Sequence, residues 1–471
     1  MFASLSDAEQ FITSENIEIL DLKYIDFGGR WRHVTLPAST RSLALLDKGV
    51  GFDGSSVGYK KIHSGDMALI PDLSTAVIDP FWKRKALSFI CDIVEADSKQ
   101  TFAFDPRNLA RRAEEYLSRL GWVDKSYWGP ELEFNVFDKV SYSIGVTQSS
   151  YEIRSGELSG DSEYSNNGFH ILPMRGYHAT PPTDSSYEMR SEIAAYLEEM
   201  GIEVKYHHHE VGGAGELEIE LPMAGLLESG DRIMLIKYVA KMIGRKWGKS
   251  VTFMPKPIYG DGGNGMHVHQ NLWKGNRNLF YDRNGYSGLS AVALSYITGL
   301  LEHAPALLAF TNPSTNSYRR LVPGFEAPTN LFFSAGNRSS AIRIPTYATT
   351  EEEKRIEFRT PDATCNIYFC LAAQLLAGLD GIAKKMQPED YGPIDEDIHT
   401  WSKEKIRRIK SLPASLEEAL EGLKRNHEFL LRGEIFSQDL LHSWIEYKIK
   451  EELNPIRERP HPFEFALYYD A

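Results

Sequence analysis

PELEFNVF at residues 130–137, GELEIEL at 215–221, GMHVHQNLW at 265–273 and RIEFRTP at 355–361 share one pattern, and that pattern decides how the chain is read. In each, ionisable residues recur two apart inside an otherwise apolar stretch, which is the period of a β-strand with one polar face. Glu131 and Glu133 project together, as do Glu216, Glu218 and Glu220, His267 and His269, and Glu357 and Arg359. A single pair of this kind describes the solvated face of an antiparallel strand. Several together put charged groups from different strands on one inward surface, where carboxylates raise one another's pKa unless cations neutralise them. Glutamate oxygens with an imidazole and no thiolate suit hard ions such as Mg²⁺ or Mn²⁺ better than a structural zinc.

Basic residues supply the complement: Arg319 and Arg320 in NSYRRLVPGFE, Arg338 and Arg343 in AGNRSSAIRIP, then Arg355 and Arg359. The planar guanidinium binds phosphate and carboxylate oxygens in pairs and keeps its charge. Carboxylates that hold divalent metals beside several arginines describe a phosphoryl-transfer site, where catalysis is mostly positioning and charge neutralisation. The sequence has neither a Walker A motif nor a kinase-type glycine-rich loop, so the nucleotide is held by another fold.

Around these strands the chain divides into two parts. The first hundred or so residues are strand-rich, with IEILDLKYIDF (17–27) and RWRHVTLP (30–37) alternating apolar and polar positions about Gly28 and Gly29. Asp105-Pro106 then opens an amphipathic helix, which sets the boundary between domains 1–104 and 105–471. Beyond it strand-like segments alternate with amphipathic helices over 184–200, 231–247, 289–303 and 366–386, which makes the large domain mixed α and β. Ser415 to Glu418 reads as a capping box, and a last amphipathic run spans 437–453.

Composition limits the class. The 471 residues are 42% hydrophobic, with a net charge of -13, and the mean hydropathy is -0.34, which describes a globular protein. An acidic balance argues against nonspecific nucleic-acid binding. No apolar run is read as spanning a bilayer, and the amino end has no secretory pattern, so the expected location is cytoplasmic, with no membrane partner. Cys91, Cys365 and Cys370 are too few for a disulfide framework and read as buried small hydrophobes.

At this point longer motifs take over. FDGSS (52–56), DMALIPD (66–72), GPELEF (129–134), HHEV (208–211), GMHVH (265–269), TNPSTNSYRRLVPGFEAP (311–328), NRSSAIRIP (337–345), RIEFRTPD (355–362) and the ending HPFEFALYYDA (461–471) resemble, in order and over essentially the whole chain, glutamine synthetase of the bacterial and archaeal type I. The resemblance implies an α+β fold: a small β-grasp-like domain and a large catalytic domain whose curved antiparallel sheet lines the active site. It implies ATP-dependent ligation of ammonia to glutamate through γ-glutamyl phosphate, with Mg²⁺ or Mn²⁺ as cofactor. Glu133, Glu210 and Glu218 would hold a first metal, and Glu131, His267 and Glu357 a second. Arg320, Arg338 and Arg359 match contacts to the glutamate carboxylate or the phosphates, as Gly263 does through its main chain, and Arg343 matches the group that stabilises the transferring phosphoryl. Glu326 matches the flap residue that takes a proton from the adduct. Asp53 and Ser56 match the ammonium site, His269 and Asn271 the nucleotide site, and Tyr177 a tyrosine near glutamate.

The resemblance also implies a dodecamer of two stacked hexameric rings, with Asp53 of one subunit completing the site of the next. Departures are few. Gly262 stands where many relatives have an asparagine, Asn271 where a serine is common, and Lys61 where one subgroup has a feedback arginine. His399 occupies the place of the adenylylated tyrosine, so no adenylylation is expected there. Of the three consecutive histidines His207 to His209, alternation of faces keeps all three from one ion. A γ-glutamyl ligase for amines such as putrescine, and an inactive structural relative, are the competing functions; an intact FDGSS and retention of the six ligands favour ammonia ligation.

Overall fold

The computed structural model describes residues 2–59, 65–158, 163 and 166–471, so Lys61, like the side chain of His399, lies outside the described residues. The small domain is a five-stranded sheet of β1 (Ile19–Ile25), β2 (Trp31–Pro37), β3 (Val50–Asp53), β4 (Asp66–Asp79) and β5 (Ala86–Glu95), in the order β2-β1-β5-β4-β3. β1 and β5 run parallel and the other neighbours antiparallel. β1 does not alternate between buried and exposed as expected. Its polar residues Asp21 and Lys23 are buried too. They pair with each other, and the Tyr238 hydroxyl of a large-domain helix donates to nearby Asp79 at 2.7 Å. A second layer thus covers the face that an isolated sheet would leave wet.

The large domain is built on β6 (Lys125–Phe137), the hairpin β7 (Lys139–Ile144) and β8 (Ser149–Arg154), β9 (Tyr206–His209), β10 (Glu216–Glu220), β11 (Ser250–Thr252), β12 (Met266–Lys274), β13 (Arg277–Asn278), β14 (Asn330–Ala335), β15 (Ser340–Ile344) and β16 (Ile356–Phe358). Its main sheet runs β14-β15-β16-β12-β6-β10-β9, antiparallel except for the parallel β14–β15 pair at one edge. Every strand that carries a paired-charge motif is in this sheet.

Helices Tyr187–Glu199, Leu226–Lys246, Ala291–Thr311 and Ile367–Ala383 stand where helices were expected, with shifted ends. Ala291–Thr311 runs on through Pro305, because apolar packing on all sides outweighs the break a proline imposes. This helix corrects one expectation: it is long and apolar enough to cross a bilayer, yet it is buried in the core. The cap at Ser415 is also modified. Its hydroxyl accepts from the Glu418 N–H at 3.1 Å, but the Glu418 carboxylate reaches back to Ala414, not to the cap residue itself.

Asp105 caps helix Pro106–Arg119 and accepts from Ile93 N–H at 3.0 Å on the small domain. Burial, with Asp92 nearby, pushes its carboxyl up to about 7. One residue further in, buried Arg107 joins both domains: its guanidinium meets Asp72 and Asp92 of the small sheet, each at 2.9 Å, and Asp231 of helix Leu226–Lys246 at 2.8 Å. Removing one member of such a buried ion network leaves the others uncompensated. Arg107→Ala is expected to destabilise the fold by about 3–5 kcal/mol in chemical denaturation.

Candidate functional site

Sheet register assembles the site. Glu131 of β6 lies opposite Glu220 of β10 on one side and His267 of β12 on the other. Glu133 lies opposite Glu218, and Glu218 opposite His208 of β9. Glu357 of β16 pairs with His269 and with Arg343 of β15. Five strands, β6, β9, β10, β12 and β16, thereby deliver acids and imidazoles to one floor.

At the centre, His267 Nδ1 is 3.2 Å from Glu131 and 3.4 Å from Glu357, and its Nε2 is 3.7 Å from Glu133. His269 Nε2 lies 2.6 Å from Glu131. Arg343 Nε donates to Glu357 at 2.5 Å and Arg359 Nε to the same carboxylate at 3.1 Å. Burial opposes ionisation of Glu131, but the two histidines more than offset it and hold its carboxyl well below the usual range. Burial and Glu131 oppose ionisation of Glu357, and His269 with Arg343 and Arg359 lowers it on balance.

The other half of the floor is compensated too little: His208 lies 3.3 Å from Glu218 and the Val211 N–H donates to Glu210 at 2.8 Å, but burial and repulsion prevail. Burial first, and then neighbouring carboxylates, push Glu210, Glu216 and Glu218 well above the ordinary glutamate value. Three ligand-like triads follow: Glu131, His267 and Glu357 offer atoms within 4.8 Å of one another, and so do His208, Glu210 and Glu218, and likewise Glu131, Glu220 and His269. Glu133 adjoins the second triad, with one oxygen on the Gly265 N–H.

The floor opens into a cavity of about 780 Å³. Of the residues expected from sequence, Glu131, Glu133, Glu210, Glu218, Gly263, His267, Arg320, Glu326, Arg338, Arg343, Glu357, Arg359 and Tyr177 line it. His269 sits buried beneath Glu131, and Asn271 is occupied elsewhere, donating to Lys354 O at 3.1 Å and accepting from Trp273 at 2.9 Å. Asp53 and Ser56 are not brought to this cavity. They lie on the small domain, where exposed Asp53 accepts from Ser55 at 2.7 Å and Ser56 at 2.6 Å, bonds that lower its pKa.

The three histidines separate as strand geometry requires. His208 faces the cavity, 3.3 Å from Glu218; His207 accepts from Arg190 at 3.0 Å; buried His209 meets Glu157 at 3.1 Å. Glu216 explains Gly262. A Cβ there would lie 2.5 Å from Glu216 Oε2 and 3.0 Å from Val211, so the carboxylate fills the space an asparagine would need. Sequence reasoning missed Lys205, Phe325 and Tyr347, which also line the cavity. Phe325 directly precedes Glu326 in the TNPSTNSYRRLVPGFEAP stretch, whereas the local pattern around Lys205 and Tyr347 carries no signal and only the chain path brings them in.

Comparison with known proteins converges on the same family. Residues 16–96 match the glutamine synthetase beta-Grasp domain family and residues 103–468 the glutamine synthetase catalytic domain family. The chain belongs to the glutamine synthetase family. It is 45% identical to a glutamine synthetase of Frankia alni over 475 residues, covering 100% of both chains, and 44% identical to one from a Nostoc species over 467 residues, covering 98% of each. A solved Plasmodium falciparum glutamine synthetase superimposes with a TM-score of 0.89 at 29% identity, covering 99% of each chain. The small β-grasp domain and the curled catalytic sheet described above are those of the family, and the enzyme is a glutamate–ammonia ligase.

The electrostatics predict a pH-dependent response to metal. Glu210, Glu216 and Glu218 have raised folded-state pKa values, so the stability they contribute is complete below 4.5 and is lost as pH rises through the elevated values. The metal-free protein is expected to lose thermal stability from pH 5 to pH 8. Added Mg²⁺ or Mn²⁺ is expected to raise Tm more at pH 8 than at pH 6, by several degrees in a melting assay.

Proposed function

We propose that the cavity binds glutamate and the phosphates of ATP over two divalent cations, Mg²⁺ or Mn²⁺, and forms γ-glutamyl phosphate before ammonia displaces phosphate. The observation that carries this reading is the split floor: buried carboxylates whose raised pKa values the adjacent His208 does not offset lie beside a second group already balanced by imidazole and guanidinium. The donor set fits hard cations, being glutamate oxygen and imidazole nitrogen with no thiolate. Glu133, Glu210 and Glu218 would hold one ion and Glu131, His267 and Glu357 the other, and the ions would supply charge neutralisation on the phosphate oxygens.

Around them, Arg320, Arg338 and Arg359 orient the carboxylate and phosphate oxygens, and the Gly263 main chain orients the glutamate backbone. Arg343 meets the charge that develops on the transferring phosphoryl. Glu326, on the segment that covers the cavity, accepts a proton from the tetrahedral adduct. His269 braces Glu131 beside the nucleotide; Asn271 acts only through the strand it fastens. Asp53, with Ser56, binds ammonium and accepts its proton.

Asp53 reaches this cavity from a neighbouring subunit in a homo-oligomer, which we take to be a dodecamer of two hexameric rings. Its exposure away from the cavity of its own chain supports this. So does the apolar surface left open on the β7–β8 hairpin at Tyr142, Ile144 and Tyr151, and on the carboxyl-terminal segment at Phe463, Phe465 and Tyr469. Domain limits of 1–104 and 105–471 fit the cap at Asp105. Buried free Cys91, Cys365 and Cys370 suit the reducing cytoplasm.

Two measurements test the reading. With Mg²⁺, ATP and glutamate, ammonia is expected to drive phosphate release and glutamine formation at least tenfold better than putrescine or methylamine; equal rates would assign amine ligation, and no release with either would mark an inactive relative. Asp53→Ala and Glu357→Ala are each expected to abolish activity. Co-refolding the two is expected to restore part of it, because mixed oligomers contain some intact sites. No recovery on mixing would place Asp53 outside a shared site.

A further inference from the structure

Glu326 stands in the left-handed region of backbone space at φ +59, next but one to Gly324 at φ +93. A non-glycine residue there is strained and stays only where its surroundings hold it. Its own segment, Pro323 to Ala327, lies outside every helix and strand. The preceding residue, Phe325, makes a contact that bears on this. Lys256 places its ammonium 3.7 Å from the centroid of the Phe325 ring, and Phe325 lines the cavity beside Glu326.

Lys256 is itself fixed from three directions. Its backbone N–H donates to Asn316 at 2.7 Å, and Asn316 returns a bond to its carbonyl at 3.1 Å. Its ammonium donates to the carbonyl of Asp261, and its stem packs so closely on Gly263 that a Cβ there would meet Lys256 Cδ at 3.2 Å. Asp261 in turn accepts from the Met174, Gly213 and Gly262 N–H groups, each at 2.9 Å. One half-buried cation therefore joins the loop that carries Gly263 to the segment that carries Glu326. A cation over an aromatic face gains strength as water is excluded from it.

We propose that Lys256 is a positioning residue that latches the covering segment, gripping the Phe325 ring so that Glu326 is held over the cavity. The proposal rests on the reading of Glu326 given above. A covering segment that excludes water also protects an acyl phosphate. If the latch is loosened, water attacks the γ-carbonyl carbon of γ-glutamyl phosphate, the bond from that carbon to the phosphate oxygen breaks, and glutamate and inorganic phosphate leave with no glutamine formed.

Lys256→Met keeps the stem and removes the charge, Lys256→Arg keeps a cation, and Phe325→Leu removes the ring. In the full-length enzyme, Lys256→Met is expected to lower kcat about tenfold to thirtyfold, to raise phosphate released per glutamine formed above the wild-type ratio, and to leave KM for ATP within about twofold. Lys256→Arg is expected to restore most of both. Phe325→Leu is expected to reproduce the methionine variant, and the double variant to be no worse than either single one. Circular dichroism and oligomer mass confirm that each variant is assembled; Phe325→Leu, on a surface segment, gives the same readout should Lys256→Met fail to fold. Wild-type kcat and coupling in Lys256→Met, no rescue by arginine, or additive single effects would overturn the latch. Absence of glutamine formation by the wild type would instead overturn the activity on which it rests.

Discussion

Mutual repulsion among buried carboxylates is the constraint on which the rest of this enzyme depends. Glu131, Glu133, Glu216, Glu218, Glu220 and Glu357 are all buried on adjoining strands, where each ionised group penalises the next. The chain solves the problem in two ways. On the β12–β16 side, His267, His269, Arg343 and Arg359 supply positive or donor groups, and the acids there stay ionised. Toward β9 and β10 the His208 imidazole does not offset burial and repulsion, and Glu210, Glu216 and Glu218 are left with raised pKa values. That asymmetry is a statement about chemistry. One half of the floor is balanced by the protein's own groups; the other keeps its carboxylates buried and close together.

The framework around this floor is arranged so that the charges cannot relax away from one another. β6 runs through the middle of the sheet, with β10 on one side and β12 on the other, so Glu131 and Glu133 are fixed by ladder hydrogen bonds on both flanks. The loops above it are tied as tightly. Asp261 gathers the backbone N–H groups of three separate segments, and Glu216 occupies the space beside Gly262. Preorganisation of this kind is what an electrostatic catalyst needs, since groups that must reorient during reaction lose most of their effect.

The junction between domains obeys the same logic. Arg107 replaces water for three aspartates at once, two from the small sheet and one from the large domain. The small domain is thus tied to the large one, with Asp53 exposed and outside the cavity of its own chain. Such a junction keeps the small domain fixed on the large one, because breaking it would leave three aspartates without their shared cation.

The sequence by itself determined the chemical class. Period-two spacing put Glu131 and Glu133, His267 and His269, and Glu357 and Arg359 each on a shared face, and the residue types suited hard cations beside phosphate. It also named most of the cavity, because long motifs such as RIEFRTPD carry their neighbours with them. What it could not determine was which strands are adjacent. That β16 pairs with β12, that His208 is the one of three histidines set against Glu218, and that Lys256 meets Phe325 all follow from hydrogen-bonded pairing and loop paths between residues far apart in the chain. Local spacing says which face a side chain takes; only the tertiary structure says what stands across from it, because long-range contacts are decided by burial of the whole sheet and not by any one strand.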